Sequence, residues 1–272
     1  MATLEQVQHR SREMRYYSAV LAKLKDPIRE ILEEYSGVDP ERVEQHLFEV
    51  RERAWQIFPY PCIGQWRFTD LNLSLHPSYP EVLERLNQGQ TFLDLGCCMG
   101  QDIRKLIFDG VPPTKKINAA DLRQEYIDLG FDLFRDREKL EPAINFFVTD
   151  IFNPSSDFDQ LNGKIDVIWA GSFFHLFDWD EQVEVGKRVV RTLRPQMGSL
   201  LLGRQSGTLR PGRYPHATTS GFVFRHDPET FARLWKEIGK ATGTEWTVDA
   251  HLALREDDTD PRRRLIFAVK RV

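Results

Sequence analysis

Cysteine is scarce in this chain: Cys62, Cys97 and Cys98 are the 3 cysteines among 272 residues. An odd count with two adjacent members excludes a disulfide framework, and without a Cys-x-x-Cys pair no zinc or other metal site is expected. Surplus basic charge is missing as well, since 37 Lys and Arg stand against 41 Asp and Glu for a net charge of -4. Nucleic-acid binding favours a basic face, so no nucleic-acid partner is expected. No apolar run approaches the roughly 20 residues that span a bilayer, so no membrane partner is expected either. The opening MATLEQVQHRSREMRYY is too polar for a signal peptide and too acidic for a transit peptide, which leaves a cytoplasmic location as the expectation. There is no internal repeat and no low-complexity tract. What is present is 41% hydrophobic and 11% aromatic residues, enough to pack one large domain or one domain with an appendage.

The first sixty or so residues read as helical. Asp26-Pro27 opens a helix whose Ile28, Ile31, Leu32 and Tyr35 share one face, and Ser36-Gly37 stops it. Asp39-Pro40 opens another, with Val43, Leu47, Val50, Ala54 and Ile57 on one stripe. The aromatic segment PYPCIGQWRF follows at 59–68, then a connection with a short helix at 80–86. After Gly89 the pattern changes. Short apolar strands at 91–95, 117–120, 144–148, 165–170 and 199–202 are interleaved with helical stretches, the last near 180–193. That alternation predicts an α/β fold built on a mostly parallel sheet covered on both faces. Residues 203–226 are rich in Gly, Pro, Arg and aromatics and read as a long loop. A helix carrying Phe231, Leu234, Trp235 and Ile238 precedes strands at 244–254 and 265–272, which the charged turn REDDTDPRR would join as an antiparallel pair.

In open parallel sheets, ligands sit beyond the carboxyl ends of the strands. Four successive strands here end in Asp94, Asp121, Asp150 and Gly171-Ser172. Between the first strand and its helix lies Leu93-Asp94-Leu95-Gly96-Cys97-Cys98-Met99-Gly100. A dinucleotide turn needs G-x-G-x-x-G, so that a pyrophosphate can rest on the helix N-terminus. Cys98 and Gln101 occupy its second and third glycine positions. The pattern acidic-x-G-x-G-x-G, which needs no phosphate cradle, is met by Asp94, Gly96 and Gly100, with Cys98 in place of the middle glycine. Asp121 ends the second strand about 20 residues later, where a carboxylate accepts from ribose hydroxyls; it would serve equally as a helix cap. Asp150 is placed to accept from an exocyclic amine, or to form a turn before Asn153-Pro154.

The succession LDLGCCMG, AADL, VTDIF, DVIWAGSFFHLF and LRPQMGSLLL resembles the class I S-adenosylmethionine-dependent methyltransferases over residues 91–272. PYPCIGQWRF, LDLGCCMGQD, DLRQEYIDLGFDLF and a C-terminal H-D-P-x-x-F are similar to fungal meroterpenoid O-methyltransferases, which methylate a carboxyl of a prenylated aromatic polyketide. The resemblance implies a Rossmann-like methyltransferase sheet, mostly parallel with the last strand antiparallel, and an N-terminal helical lid. It implies a lid or substrate cap over 1–68 and a methyltransferase domain over 69–272 with a substrate loop at 203–226. It implies S-adenosyl-L-methionine as cofactor. Asp94, Gly96 and Gly100 would lie along its methionine part, Asp121 and Leu122 along ribose and adenine, Asp150, Ile151 and Phe152 around adenine, and Gly171 and Ser172 near the sulfonium.

Methyl transfer from sulfur chiefly requires alignment of the acceptor. A phenol gains from a general base, for which His175 is placed, whereas a carboxylate needs only a group that holds it, such as Arg204 or Arg213. Tyr60, Trp66 and Phe68 offer area for a small apolar substrate. Apolar faces of the N-terminal helices leave a homodimer open. Carboxyl methylation without a base is the leading expectation. The alternatives are phenol methylation by His175, an NAD-dependent oxidoreductase, and a non-catalytic protein that binds S-adenosylmethionine.

Overall fold

The computed structural model describes residues 12–21, 24, 26–217, 220–254 and 262–272. Most of the charged turn expected at 255–263 lies outside the described residues, as does the chain before residue 12. Helices α1 (Asp26–Glu30, continued by a π turn at Ile31–Tyr35) and α2 (Val43–Ile57) come first. Then follow α3 (Tyr79–Asn87), β1 (Phe92–Leu95), α4 (Gln101–Phe108), β2 (Ile117–Asp121), α5 (Gln124–Phe134), β3 (Asn145–Val148) and β4 (Val167–Gly171). The chain ends with α6 (Trp179–Thr192), β5 (Leu200–Thr208), β6 (Gly212–Pro215), β7 (Phe222–Arg225), α7 (Pro228–Thr242), β8 (Trp246–Ala253) and β9 (Arg262–Arg271). No described helix is long and apolar enough to cross a membrane.

The main sheet runs β3-β2-β1-β4-β5-β9-β8. Strands β1 to β5 pair in parallel, and β9 lies antiparallel between β5 and β8. The Rossmann-like fold and its antiparallel strand are therefore as expected. Strand order reverses between β1 and β4, which puts the ligand edge at the loops after β1, β2, β3 and β4. Alternate residues of one strand serve opposite cores. Leu93, Ile168 and Leu201 meet α6 and α7 through Val185, Val189, Leu234 and Trp235. Phe92, Val167, Trp169 and Leu202 meet α3 and α4 through Val82, Leu86, Ile103 and Leu106. The helices have clear starts: Asp178 closes a capping box on α6, and Asp227 does so on α7 ahead of Pro228. Each such cap is worth about 1 kcal/mol.

The N-terminal helices form a third core. Leu32, Leu47, Val50, Ala54 and Trp55 pack there with Tyr126, Leu129, Leu133 and Phe134 of α5 and with Met99 of the loop after β1. Helix α5 is thus sandwiched, its Ile127 and Phe131 facing the sheet and its other flank the N-terminal helices. Tyr126 donates to the Phe58 carbonyl at 2.6 Å, fixing the end of α2 to α5. The helix expected from Asp39-Pro40 begins only at Val43, because Asp39 holds a turn by accepting from the Glu41 amide at 2.9 Å.

The long loop expected at 203–226 is largely strand. Strand β5 pairs with β9 along its whole length, from Leu200 with Lys270 to Thr208 with Arg262. The next residues form the β6-β7 hairpin. The ladder of the long partner β9 decides the conformation here, over the local Gly and Arg content.

Candidate active site

The loop after β1 takes left-handed backbone at alternate residues: Gly96 (φ +80°), Cys98 (φ +51°) and Gly100 (φ +67°). A Cβ on Gly96 would stand 2.6 Å from Phe173 Cδ2. Cys98 adopts the conformation that glycine would take in the middle of the motif, at a cost of roughly 1–2 kcal/mol. Its amide donates to Asp121 Oδ2 at 2.8 Å, and the Arg123 amide donates to Asp121 Oδ1 at 3.0 Å. The acid at the end of β2 therefore braces the loop.

A buried ion pair holds the loop from below. The Arg104 guanidinium donates to Asp136 at 3.0 and 2.9 Å and to the Met99 and Gly100 carbonyls at 3.1 and 3.3 Å. Tyr35, from the N-terminal helices, donates to the same Asp136 at 2.9 Å. Gly130 of α5 lies so close under the loop that a Cβ there would collide with the Met99 carbonyl. None of Arg104, Asp136 or Gly130 was among the site residues expected from the sequence. The only local signal is a glycine in the middle of α5, because Arg104 and Asp136 are 32 positions apart.

Three acids, Asp94, Asp102 and Asp121, cluster at this edge. Burial pushes the Asp94 carboxyl well up, and Asp102 and Asp121 add to the shift. Burial pushes Asp102 up to about 6, while it accepts from the Leu73 amide and the Trp169 indole, both at 3.0 Å. Asp121 is raised by burial against the amides that it binds. Beside Asp121 the side chain of Leu122 is exposed, as is that of Phe152. Phe152 meets Phe177 edge-on at 5.2 Å, and Ile151 packs half-buried behind them. Asp150 is exposed and accepts from the Phe152 amide at 2.9 Å, forming the turn. Ser172, after Gly171, is left-handed (φ +58°), and its amide donates to the Arg204 carbonyl at 2.7 Å. Apolar flat-ring surface beside clustered acids suits an adenosyl group joined to a cationic sulfonium and ammonium. It disfavours a dinucleotide pyrophosphate, whose charge has the sign of the acids.

The residues expected to meet the acceptor are scattered. Tyr60 is half-buried and packs against Tyr126 at 5.9 Å, and Arg123 and Asp121 lie near enough to act on its hydroxyl, on the cofactor side. Trp66 and Phe68 are 5% and 2% exposed. Trp66 is left-handed (φ +59°), donates to the Ser18 carbonyl at 3.1 Å and lies under the Arg51 guanidinium at 4.4 Å. The structure thus packs both as core of the N-terminal region rather than on an open surface. Arg204 donates to Asn72, and its charge opposes the upward shift of Asp102. Arg213 pairs with Asp178 at 2.6 Å and stacks on Phe222 at 4.6 Å, so its charge is already engaged at the start of α6. His175 sits in a 3-10 turn (Phe174–Leu176) with its Nδ1 enclosed and without a partner among the described residues. Burial first, then Arg225 and His216, press its imidazole down to about 4.

Comparison with known proteins bears on the same regions. Residues 16–69 match the meroterpenoid methyltransferase N-terminal domain, and residues 92–196 match a methyltransferase domain. The chain is 46% identical over 224 residues to the O-methyltransferase phiE of a fungal species, covering 82% of this chain and 74% of that protein. The chain belongs to the meroterpenoid-type, S-adenosylmethionine-dependent methyltransferases. This methyltransferase is also 37% identical over 230 residues to the asnovolin E/chermesin D methyltransferase nvfJ of Aspergillus novofumigatus, covering 84% of this chain and 82% of that one. The methyltransferase shares its fold with the Burkholderia thailandensis 1,6-didemethyltoxoflavin-N1-methyltransferase, solved with S-adenosylhomocysteine. The TM-score is 0.54 at 16% identity, over 84% of this chain and 90% of that one. S-adenosylmethionine is accordingly the cofactor of the methyltransferase, and the oxidoreductase alternative falls away.

Proposed function

We propose that this methyltransferase esterifies a carboxyl group of a small apolar prenylated polyketide acid, without a general base. The observation that carries this reading is the setting of His175. Its imidazole is neutral at working pH: burial lowers its pKa first, the cation Arg225 and then His216 push the same way, and no carboxylate opposes them. A base with a conjugate acid near pKa 4 lies about six units below a phenol at roughly 10, a poor match for proton removal. The same surroundings favour an acceptor that arrives already anionic. The relatives' names support the substrate class, since one of them acts on asnovolin E or chermesin D and carries the same N-terminal domain.

In this reading the bound cofactor supplies an electrophilic methyl on a positively charged sulfur. The chain's own residues bind and align. Asp121 accepts from ribose hydroxyls while keeping the Cys98 amide, since a carboxylate has about four acceptor positions. Leu122, Ile151 and Phe152 cover the flat base, and Asp150 accepts at its edge. Asp94 and the backbone of Gly96 and Gly100 line the amino-acid end, and Gly171-Ser172 the reacting end. Residues 1–68 act as a lid from which Tyr60 reaches the site, and the 203–226 segment closes the acceptor side. Water exclusion and alignment supply the acceleration. Localisation in the cytoplasm belongs to the same proposal.

His175 stays neutral from pH 5 to 9, because its proton is taken up only as pH falls toward about 4. Single-turnover rates with a bound acid are therefore expected to be flat from pH 6 to 9. His175→Gln should keep a flat profile. A rising limb near pH 7 that disappears in His175→Gln would overturn the base-free reading.

A further inference from the structure

Gln205 is a polar residue inside an otherwise apolar face. Leu201, Gly203 and Gln205 alternate onto one side of β5. Leu201 belongs to the core there, and a Cβ on Gly203 would collide with the Phe267 ring. Phe174 stands 6.2 Å from Phe267, and the turn that continues into His175 lies against β5 and β7. Gln205 comes one step further along β5. Arg204 is the last β5 residue paired with β4, opposite Gly171, so Gln205 projects past the end of β4, at the ligand edge. It is 3% exposed, and neither its Oε1 nor its Nε2 has a partner among the described residues. His175 Nδ1, on the neighbouring turn, is enclosed and unpartnered in the same way. Buried polar groups are nearly always bonded, because leaving one unmade costs about 1–3 kcal/mol. Two such groups on adjoining elements, with Arg225 close enough to act on His175, mark a place whose hydrogen bonds a ligand completes.

We infer that Gln205 and His175 together grip the carboxylate of the acceptor, with Arg225 supplying the positive field, which makes Gln205 the residue that selects an acid over its neutral analogues. The inference rests on the carboxyl-methylation reading. The Gln205 carboxamide N–H and the His175 imidazole N–H donate to one carboxylate oxygen, leaving the other to react. That oxygen's lone pair forms the new O–CH3 bond as the C–S pair returns to sulfur, and no proton is released. After transfer the oxygen is neutral, the grip weakens, and the ester leaves.

The test is calorimetric binding of a geranylated para-hydroxybenzoic acid, and of its methyl ester, to enzyme saturated with S-adenosylhomocysteine. In Gln205→Met the dissociation constant of the acid is expected to rise tenfold to a hundredfold, as for loss of a hydrogen bond to a charged group. The ester should shift less than threefold, and S-adenosylhomocysteine affinity should not change. Melting of the free variant should be equal or higher, because an unpartnered buried amide has been removed. Gln205→Glu should abolish acid binding by like charge. Equal loss for acid and ester would mean lost packing and would overturn the inference. Wild-type affinity for the acid in Gln205→Met would overturn it while leaving carboxyl methylation standing. If wild-type enzyme binds the ester but not the acid, both fall.

Discussion

Arg104→Ala is expected to lower the unfolding free energy by about 3–5 kcal/mol, the usual cost of stranding one member of a buried ion pair. The side chains of Arg104 and Asp136 are 1% and 3% exposed, and Arg104 spends its remaining N–H groups on the Met99 and Gly100 carbonyls. Its loss leaves a buried carboxylate held by the Tyr35 hydroxyl without its cationic partner, and takes the guanidinium away from the Met99 and Gly100 carbonyls. Urea denaturation reads the effect directly. Asp136→Ala should cost a similar amount, and the double variant much less than the sum, because neither charge is then left alone. S-adenosylhomocysteine binding should weaken in both single variants, since the loop loses its lower brace. A loss under 1 kcal/mol in Arg104→Ala would mean that the loop holds its shape without this pair.

Asp121→Ala is expected to raise the dissociation constant of S-adenosylhomocysteine about a hundredfold. Two effects combine. A carboxylate that accepts from ribose hydroxyls makes charge-assisted bonds worth about 1.5–3 kcal/mol. The same carboxylate holds the Cys98 amide in a residue whose left-handed backbone is already unfavourable. Asp121→Asn retains an acceptor for that amide and loses the charge, so its effect should be nearer tenfold. Calorimetry on both variants separates the ribose contact from the loop brace. Affinities equal to wild type in both would remove Asp121 from the cofactor site.

The parts of the fold legible in the sequence are those governed by local pattern. Strands β1, β2 and β4 are short apolar runs closed by Asp121 or Gly171, and α6 and α7 carry their apolar residues at helical spacing behind Asp caps. The acids at the strand ends could be read for the same reason, because topology alone sends them to one edge. What escaped depends on distant partners. Strand β5 continues to Thr208 because β9 runs beside it, although GRQSGT looks like loop. Arg104 reads as a surface residue of an amphipathic helix until Asp136 folds over it. Trp66 and Phe68 read as substrate surface because nothing local reveals that Arg51 and Phe48 will cover Trp66. Gln205 is likewise silent in the sequence, since only the strand register shows that its amide is enclosed.

The most direct test of carboxyl methylation is to offer one acceptor with both competing oxygens. A geranylated para-hydroxybenzoic acid carries a carboxyl and a phenol, and methyl-labelled S-adenosylmethionine marks whichever is used. The expected product releases its label as methanol in dilute hydroxide, as a methyl ester does. Label retained through that treatment, as in an aryl methyl ether, would contradict it.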